Sequence, residues 1–308
     1  MEAKKDLTLI RKPEYLSPSQ LKMYESDKEK YFMTYLAVDR PPRFPQTKPM
    51  AIGSGFDAFV KSDLSHRYLP EKDWYYPDKL FKDQVEKPMQ DLVWDDTTEC
   101  YKQYKEVGAY NGLLKILDKA TEIQFETRIT KVIEGVPIMG VPDMMCKTTI
   151  PIIFDWKVNG YYSQASPRAG YSFCYPDGSH HKDAVLVSHH NIMHNGAWFD
   201  DLYPDHAMQL ATYAWLCGLP VGNDQFNMIH QLAWRNGKLR VAVLSGLCNQ
   251  EYQVKLMDRY KRLWESIQTN TVFSPEETER YNRIALTQYG DTPEQDLFRE
   301  LTRNTRNF

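Results

Sequence analysis

Few cysteines, no long apolar run and no excess of basic charge are the first things to note in this chain of 308 residues. Its five cysteines, Cys100, Cys146, Cys174, Cys217 and Cys248, are scattered and odd in number, with no CxxC pair. That pattern suggests neither a zinc ribbon nor an iron–sulfur cluster, and the thiols read as reduced and packed. No apolar stretch approaches the roughly 18–20 residues that span a bilayer, so no membrane partner is expected. The opening MEAKKDLTLIRKPEY has no signal-peptide apolar core and contains acids, which points to an intracellular, cytoplasmic location. No GxxxxGK[ST] loop occurs, so the chain carries no P-loop motor. A net charge of −3 argues against a broadly basic coat for nucleic acid, yet leaves room for one basic groove. No internal repeat or low-complexity tract interrupts the sequence.

What remains is ordinary for a globular protein: 42% apolar and 26% charged residues, enough for one large domain with insertions. After an arm covering 1–16, Ser17-Pro18-Ser19-Gln20 reads as a helix start, with Ser17 as N-cap and Gln20 closing a capping box. Leu21, Tyr24, Tyr31 and Tyr35 then carry an aromatic-rich helix to about Leu36. The segment RPPRFPQTKP ends it, and MAIGSGFDAFVK, Met50 to Lys61, resumes helical spacing. Asp63 to Asp96, proline-punctuated, is expected to be loops and short pieces, and Thr97 to Leu117 a helix. Three strands follow as a meander: Glu122–Ile133, Val136–Lys147 with Gly135 at the turn, and Ile150–Lys157. Residues 158–204 form a long irregular insertion rich in Tyr, His, Ser and Gly. Asp205–Cys217 is expected as a helix, 226–244 as a hairpin around Asn236-Gly237, and Asn249–Ile267 as a further helix. Short capped helices begin at Ser274 and Thr292 in a tail covering 271–308.

The chemistry concentrates in GVPD, Gly140 to Asp143, and IIFDWK, Ile152 to Lys157. On a strand, the period of two puts Asp155 and Lys157 on one face and Trp156 on the other. Asp143, delivered by the preceding turn, brings a second carboxylate. Two converging acids can hold a hard divalent cation, and a neighbouring ammonium can position or deprotonate a water. The same three residues also suit a plain edge-strand ion pair.

In order along the chain, four pieces resemble the PD-(D/E)xK nuclease superfamily, and within it the RecB/AddB-type exonuclease domains, as a stand-alone, phage-like form. They are the opening helix SPSQLKMYESDKEKYFMTYL, then IGSGFDAF, then the meander with Glu126 in FETRIT followed by GVPD and IIFDWK, and last QLATY, Gln209 to Tyr213. The resemblance spans about Ser17 to Ile267. It implies an α/β fold, restriction-endonuclease-like, with a central mixed sheet flanked by helices, and a nuclease domain over 17–270. It further implies that Asp143 and Asp155 are metal ligands, Lys157 the catalytic lysine, Glu126 a supporting acid, and Gln209 and Tyr213 a QxxxY pair on one helical face. Where relatives carry G-[ST]-x-x-H, with the histidine as a ligand, this chain has Asp57, whose oxygen would suit Mg²⁺ or Mn²⁺. Asp57 as a helix-surface acid, and Glu126 as a solvent-facing strand residue, are the bland readings.

The implied activity is metal-dependent hydrolysis of DNA phosphodiesters by an exonuclease acting in recombination, repair or phage DNA processing. Its setting would be a bacterial or phage-infected cell, and its further partners a recombination or annealing protein, or a second copy of the chain. A catalytically inactive DNA-binding scaffold and a structure-specific endonuclease are the alternatives on the same fold. In the insertion, Tyr161, Tyr162, Tyr171, Phe173 and Tyr175, with Arg168, could stack on unpaired bases or simply pack the loop down. The histidines His180, His181, His189, His190 and His194 show no helical HxxxH with a third partner, and the HH pairs project to opposite sides if extended, which argues against zinc.

Overall fold

A computed structural model describes residues 9–38, 45–69, 76–125, 128–158, 173–174, 180–181, 186–191 and 198–289. Packing divides the chain into two units, one of Met1–Phe44, Thr130–Gly140 and Val254–Phe308, the other of Pro45–Ile129 and Val141–Gln253. The described helices are α1 Pro18–Ser26, α2 Lys28–Tyr31, α3 Lys48–Tyr68, α4 Pro77–Gln84, α5 Lys87–Glu106, α6 Gly108–Leu117, α7 Phe199–Leu202, α8 Pro204–Leu216, α9 Gln250–Gln268 and α10 Pro275–Tyr289. The strands are β1 Glu122–Phe125, β2 Ile129–Ile133, β3 Val136–Gly140, β4 Met144–Lys147, β5 Pro151–Val158, β6 Phe173–Cys174, β7 His180–His181, β8 Leu186–Asn191, β9 Phe226–Arg235 and β10 Lys238–Leu247.

The larger unit is α/β, a mixed sheet in the order β1-β4-β5-β9-β10-β8 with helices packed against it. β1, β4 and β5 run antiparallel to one another, β9 lies parallel to β5, β10 returns antiparallel to β9, and β8 is parallel to β10. β5 is the near-continuous apolar run PIIFDWKV, buried from Ile152 to Trp156, as a strand between two neighbours requires. The β9–β10 hairpin turns at Asn236 and Gly237, both with positive φ (51° and 71°), the conformation a two-residue type I′ turn demands. On one face the sheet meets α3, α4, α5 and α6 through Phe56, Phe59, Phe81, Tyr104, Phe154 and Trp156, all buried. Gly55, on α3, faces α4 and α5 closely: a Cβ there would lie 2.7 Å from the Phe81 ring and 2.8 Å from Thr97 Cγ2.

Several expectations need correction. Asp63 to Asp96 is mostly helical: α3 continues to Tyr68, and α4 and α5 follow. The prolines that looked like breakers, Pro77 and Pro88, stand in the first turn of α4 and α5, where a missing N–H costs nothing. The helix expected over Thr97–Leu117 divides at Val107 into α5 and α6. The meander is also split. β1, β4 and β5 join the main sheet, whereas β2 and β3 form a separate two-stranded ribbon; the intervening Val141-Pro142 offers one N–H fewer for a continuous ladder. Within the insertion, β8 is a strand of the main sheet rather than irregular chain.

In the smaller unit, the helix expected over Ser17–Leu36 comes in pieces. Asp27, extended at φ −156°, ends α1 and caps α2 by accepting from Lys30 N at 2.9 Å, and Phe32–Leu36 is a π-helical segment. Ser17 caps α1 through Gln20 N (3.3 Å), but the Gln20 amide turns to the Tyr15 carbonyl (3.2 Å), so only half of the expected capping box forms. The box at Ser274 is complete, with Ser274 N–H on Glu277 Oε2 (2.9 Å) and Glu277 N–H on Ser274 Oγ (3.1 Å). It opens a helix of 15 residues rather than a short one, whose Tyr281 packs with Phe273 on Phe32. The helix expected at Thr292 lies outside the described residues.

Candidate active site

All of the described site residues belong to the larger unit. The pairing of β4 with β5 places Met144 opposite Phe154 and Met145 opposite Ile153; one step further along the same register sets Asp143 opposite Asp155. Asp143 precedes β4, and its Oδ2 accepts the backbone N–H of Trp156 at 2.9 Å. The carboxylate thus extends the ladder after Pro142 has interrupted it. Strand alternation then separates the neighbours of Asp155. Lys157 and Asp155 share a face and form an ion pair. The Trp156 indole goes the other way, donating to Tyr104 Oη at 3.1 Å in the helical core.

α3, packed against β5, contributes Asp57 and a residue the sequence reading passed over. Lys61 lies one turn after Asp57, on the same helical face, and is fully buried. Its ammonium donates to Asp57 Oδ2 at 2.6 Å and to Asp143 Oδ1 at 3.0 Å. The D-x-x-x-K spacing and the place of this lysine among Phe59, Val60 and Leu64 were the available signals.

α8 covers the same strand from its C-terminal side of the chain. Its Trp215 donates to the buried Gln253 Oε1 at 3.2 Å, and Gln253 Nε2 donates to the Asn223 carbonyl at 2.9 Å, so the helix is held in place at its end. On α8, Gln209 Nε2 donates to Tyr213 Oη at 2.7 Å. Burial, and next the negative charge of Asp155, raises the Tyr213 phenol well above its ordinary value, so it remains protonated.

The two central acids are driven apart in acidity. Burial alone pushes Asp143 up, but the ammoniums of Lys61 and Lys157 and the Trp156 N–H outweigh it and hold this carboxyl below its usual range. For Asp155 burial dominates and the adjacent Asp143 charge adds to it, so despite Lys157 it lies well above the ordinary carboxylate value. Asp155 is therefore the weaker acid of the two, as expected where two like charges are brought close together.

The structure thus brings together Asp57, Asp143, Asp155 and Lys157, with Lys61 among them and Gln209 and Tyr213 alongside. Glu126 lies outside the described residues, as do Arg168, Tyr161, Tyr162, Tyr171, Tyr175 and His194. His189 and His190 fall in β8, opposite Leu244 and Ser245. Asp143 and Asp155 are hard oxygen donors side by side, a set that fits Mg²⁺ or Mn²⁺ with water in the remaining positions. Among the described residues, however, no three or more His, Cys, Asp or Glu form a group able to hold a metal, and the Lys61 ammonium contacts both Asp57 and Asp143. No helix among these residues is long and apolar enough to cross a membrane.

No known protein family and no curated protein matches the chain. Among solved structures it is similar to a proposed exonuclease from Eubacterium rectale, at 11% identity and a TM-score of 0.45, over 84% of this chain and 83% of that one. A second similarity is to the protein SSO0001, at 11% identity and a TM-score of 0.21, over 80% of this chain and 85% of that one. Likeness this remote leaves function to the chemistry of the residues themselves.

Proposed function

We propose that this protein is a divalent-metal-dependent deoxyribonuclease of the PD-(D/E)xK type, acting as an exonuclease on DNA. The observation that carries the reading is the register-matched pair Asp143 and Asp155, with the buried Asp155 sharing a strand face with Lys157. Asp143 and Asp155 would hold the cation; the chemistry it supplies when bound is polarisation of a phosphoryl oxygen and a more acidic bound water.

The rest falls to the chain's own groups. The Trp156 N–H fixes the rotamer of Asp143, so its free lone pairs have a set direction. Lys157, 12% exposed at its side chain, holds the attacking water and offsets the charge that builds on the phosphoryl oxygens, in a site where low dielectric strengthens both effects. The Gln209 amide donates into the Tyr213 oxygen, which leaves the phenolic O–H as the donor this residue offers to a substrate oxygen. Asp155, paired with Lys157, would be the second ligand, and a divalent charge beside it would favour its ionised form.

The test is degradation of end-labelled linear DNA with Mg²⁺ or Mn²⁺, with EDTA as control and covalently closed circles beside it. We expect the linear form to be consumed and the circle spared, with Asp155→Asn and Lys157→Ala each lowering the rate by about two orders of magnitude or more. A wild type inert with either metal would overturn the reading. Equal cutting of circles would make it an endonuclease.

A further inference from the structure

We propose that Lys61 is a built-in counter-ion filling the position between Asp57 and Asp143, so that the centre takes one divalent cation, on Asp143 and Asp155, and Asp57 serves to hold Lys61. This rests on the nuclease reading above and adds to it a metal count and a new role for two residues. Asp57 was expected to be a third ligand. Instead the Lys61 ammonium lies 2.6 Å from Asp57 Oδ2 and 3.0 Å from Asp143 Oδ1, in the space a cation bridging those two acids would occupy. The side chain that delivers it is 1% exposed, so it cannot swing into water without opening the packing of α3. A buried ammonium stays buried only while its carboxylates remain, and the i, i+4 spacing on α3 keeps Asp57 permanently within reach.

Charge points the same way. With every group ionised, Asp57, Asp143 and Asp155 against Lys61 and Lys157 leave one net negative charge. A single divalent ion turns this to one net positive charge, matched to the single negative charge of a phosphodiester. A second ion would leave a large uncompensated excess in a dry site. Trp156 N–H on Asp143 Oδ2 and Lys61 on Asp143 Oδ1 also hold this carboxylate from both ends, so Lys61 acts as a positioning residue for a metal ligand.

The experiment counts Mn²⁺ bound to the full chain by electron paramagnetic resonance and calorimetric titration, without DNA. Wild type is expected to take one ion. Asp57→Asn should keep that one ion with affinity within about threefold, whereas Asp155→Asn should weaken it by about tenfold or more. Lys61→Met should admit a second ion or bind the first about tenfold more tightly. Because removal of a buried charge can unfold a protein, the charge-balanced Asp57→Asn/Lys61→Met variant is measured too, and should again bind one ion. Two ions on wild type, loss of binding in Asp57→Asn as deep as in Asp155→Asn, or an unchanged Lys61→Met each overturn the counter-ion proposal while sparing the nuclease reading. No Mn²⁺ on wild type removes both.

Discussion

Acid should unfold this protein through His230, and by an amount that can be worked out. The imidazole is on β9, 2% exposed, with Nδ1 2.5 Å from Tyr104 Oη, which also accepts from the Trp156 indole at 3.1 Å. Burial pushes the His230 pKa down to about 3 from 6.5. The sign follows from which state takes the proton first. Above pH 6.5 the ring is neutral folded and unfolded, and contributes nothing to the slope. Below it the unfolded chain binds a proton that the folded one refuses, and stability falls by about 1.4 kcal/mol per pH unit until about pH 3. Between pH 7 and pH 5 the loss is about 2 kcal/mol, a sizeable part of an ordinary domain's 5–15 kcal/mol. Urea unfolding at pH 7, 6 and 5, in wild type and His230→Phe, isolates the effect, because the carboxylates are common to both. Wild type should lose about 2 kcal/mol more than the variant across that range. Parallel pH profiles would refute the reasoning.

Other outcomes follow from the packing and the site. Gly55→Ala places a methyl against Phe81 and Thr97 and should cost about 1–3 kcal/mol in a thermal or urea melt. Gly112→Ala, in α6 with nothing within 4 Å of the new Cβ, should instead stabilise by about 0.5–1 kcal/mol. Tyr213→Phe removes the hydroxyl that Gln209 orients and should lower kcat about tenfold or more on linear DNA with little change in KM, as for a donor used mainly in the transition state.

Much of this was legible from the residues alone. The β-branched and aromatic run ending in D-W-K reads as a strand, and a strand's alternation fixes which side chains share a face. Asn236-Gly237 determines a tight hairpin because the turn needs positive φ at both positions. Ser274 and Glu277 determine a capped helix start, since their side chains find the orphan amides locally. These are short-range facts, decided within a turn or a strand. The tertiary structure decided the rest. Pro77 and Pro88 open helices or break them according to what lies ahead of them, and only the aromatic packing of α4 and α5 on α3 resolves that choice. The meander splits between two sheets because pairing partners are chosen at long range. Lys61 looked like the polar end of a helix. Only when α3 meets the Asp143 turn does its buried ammonium find two carboxylates, because the cost of dehydrating a charge is met by neighbours that sequence spacing cannot bring into view.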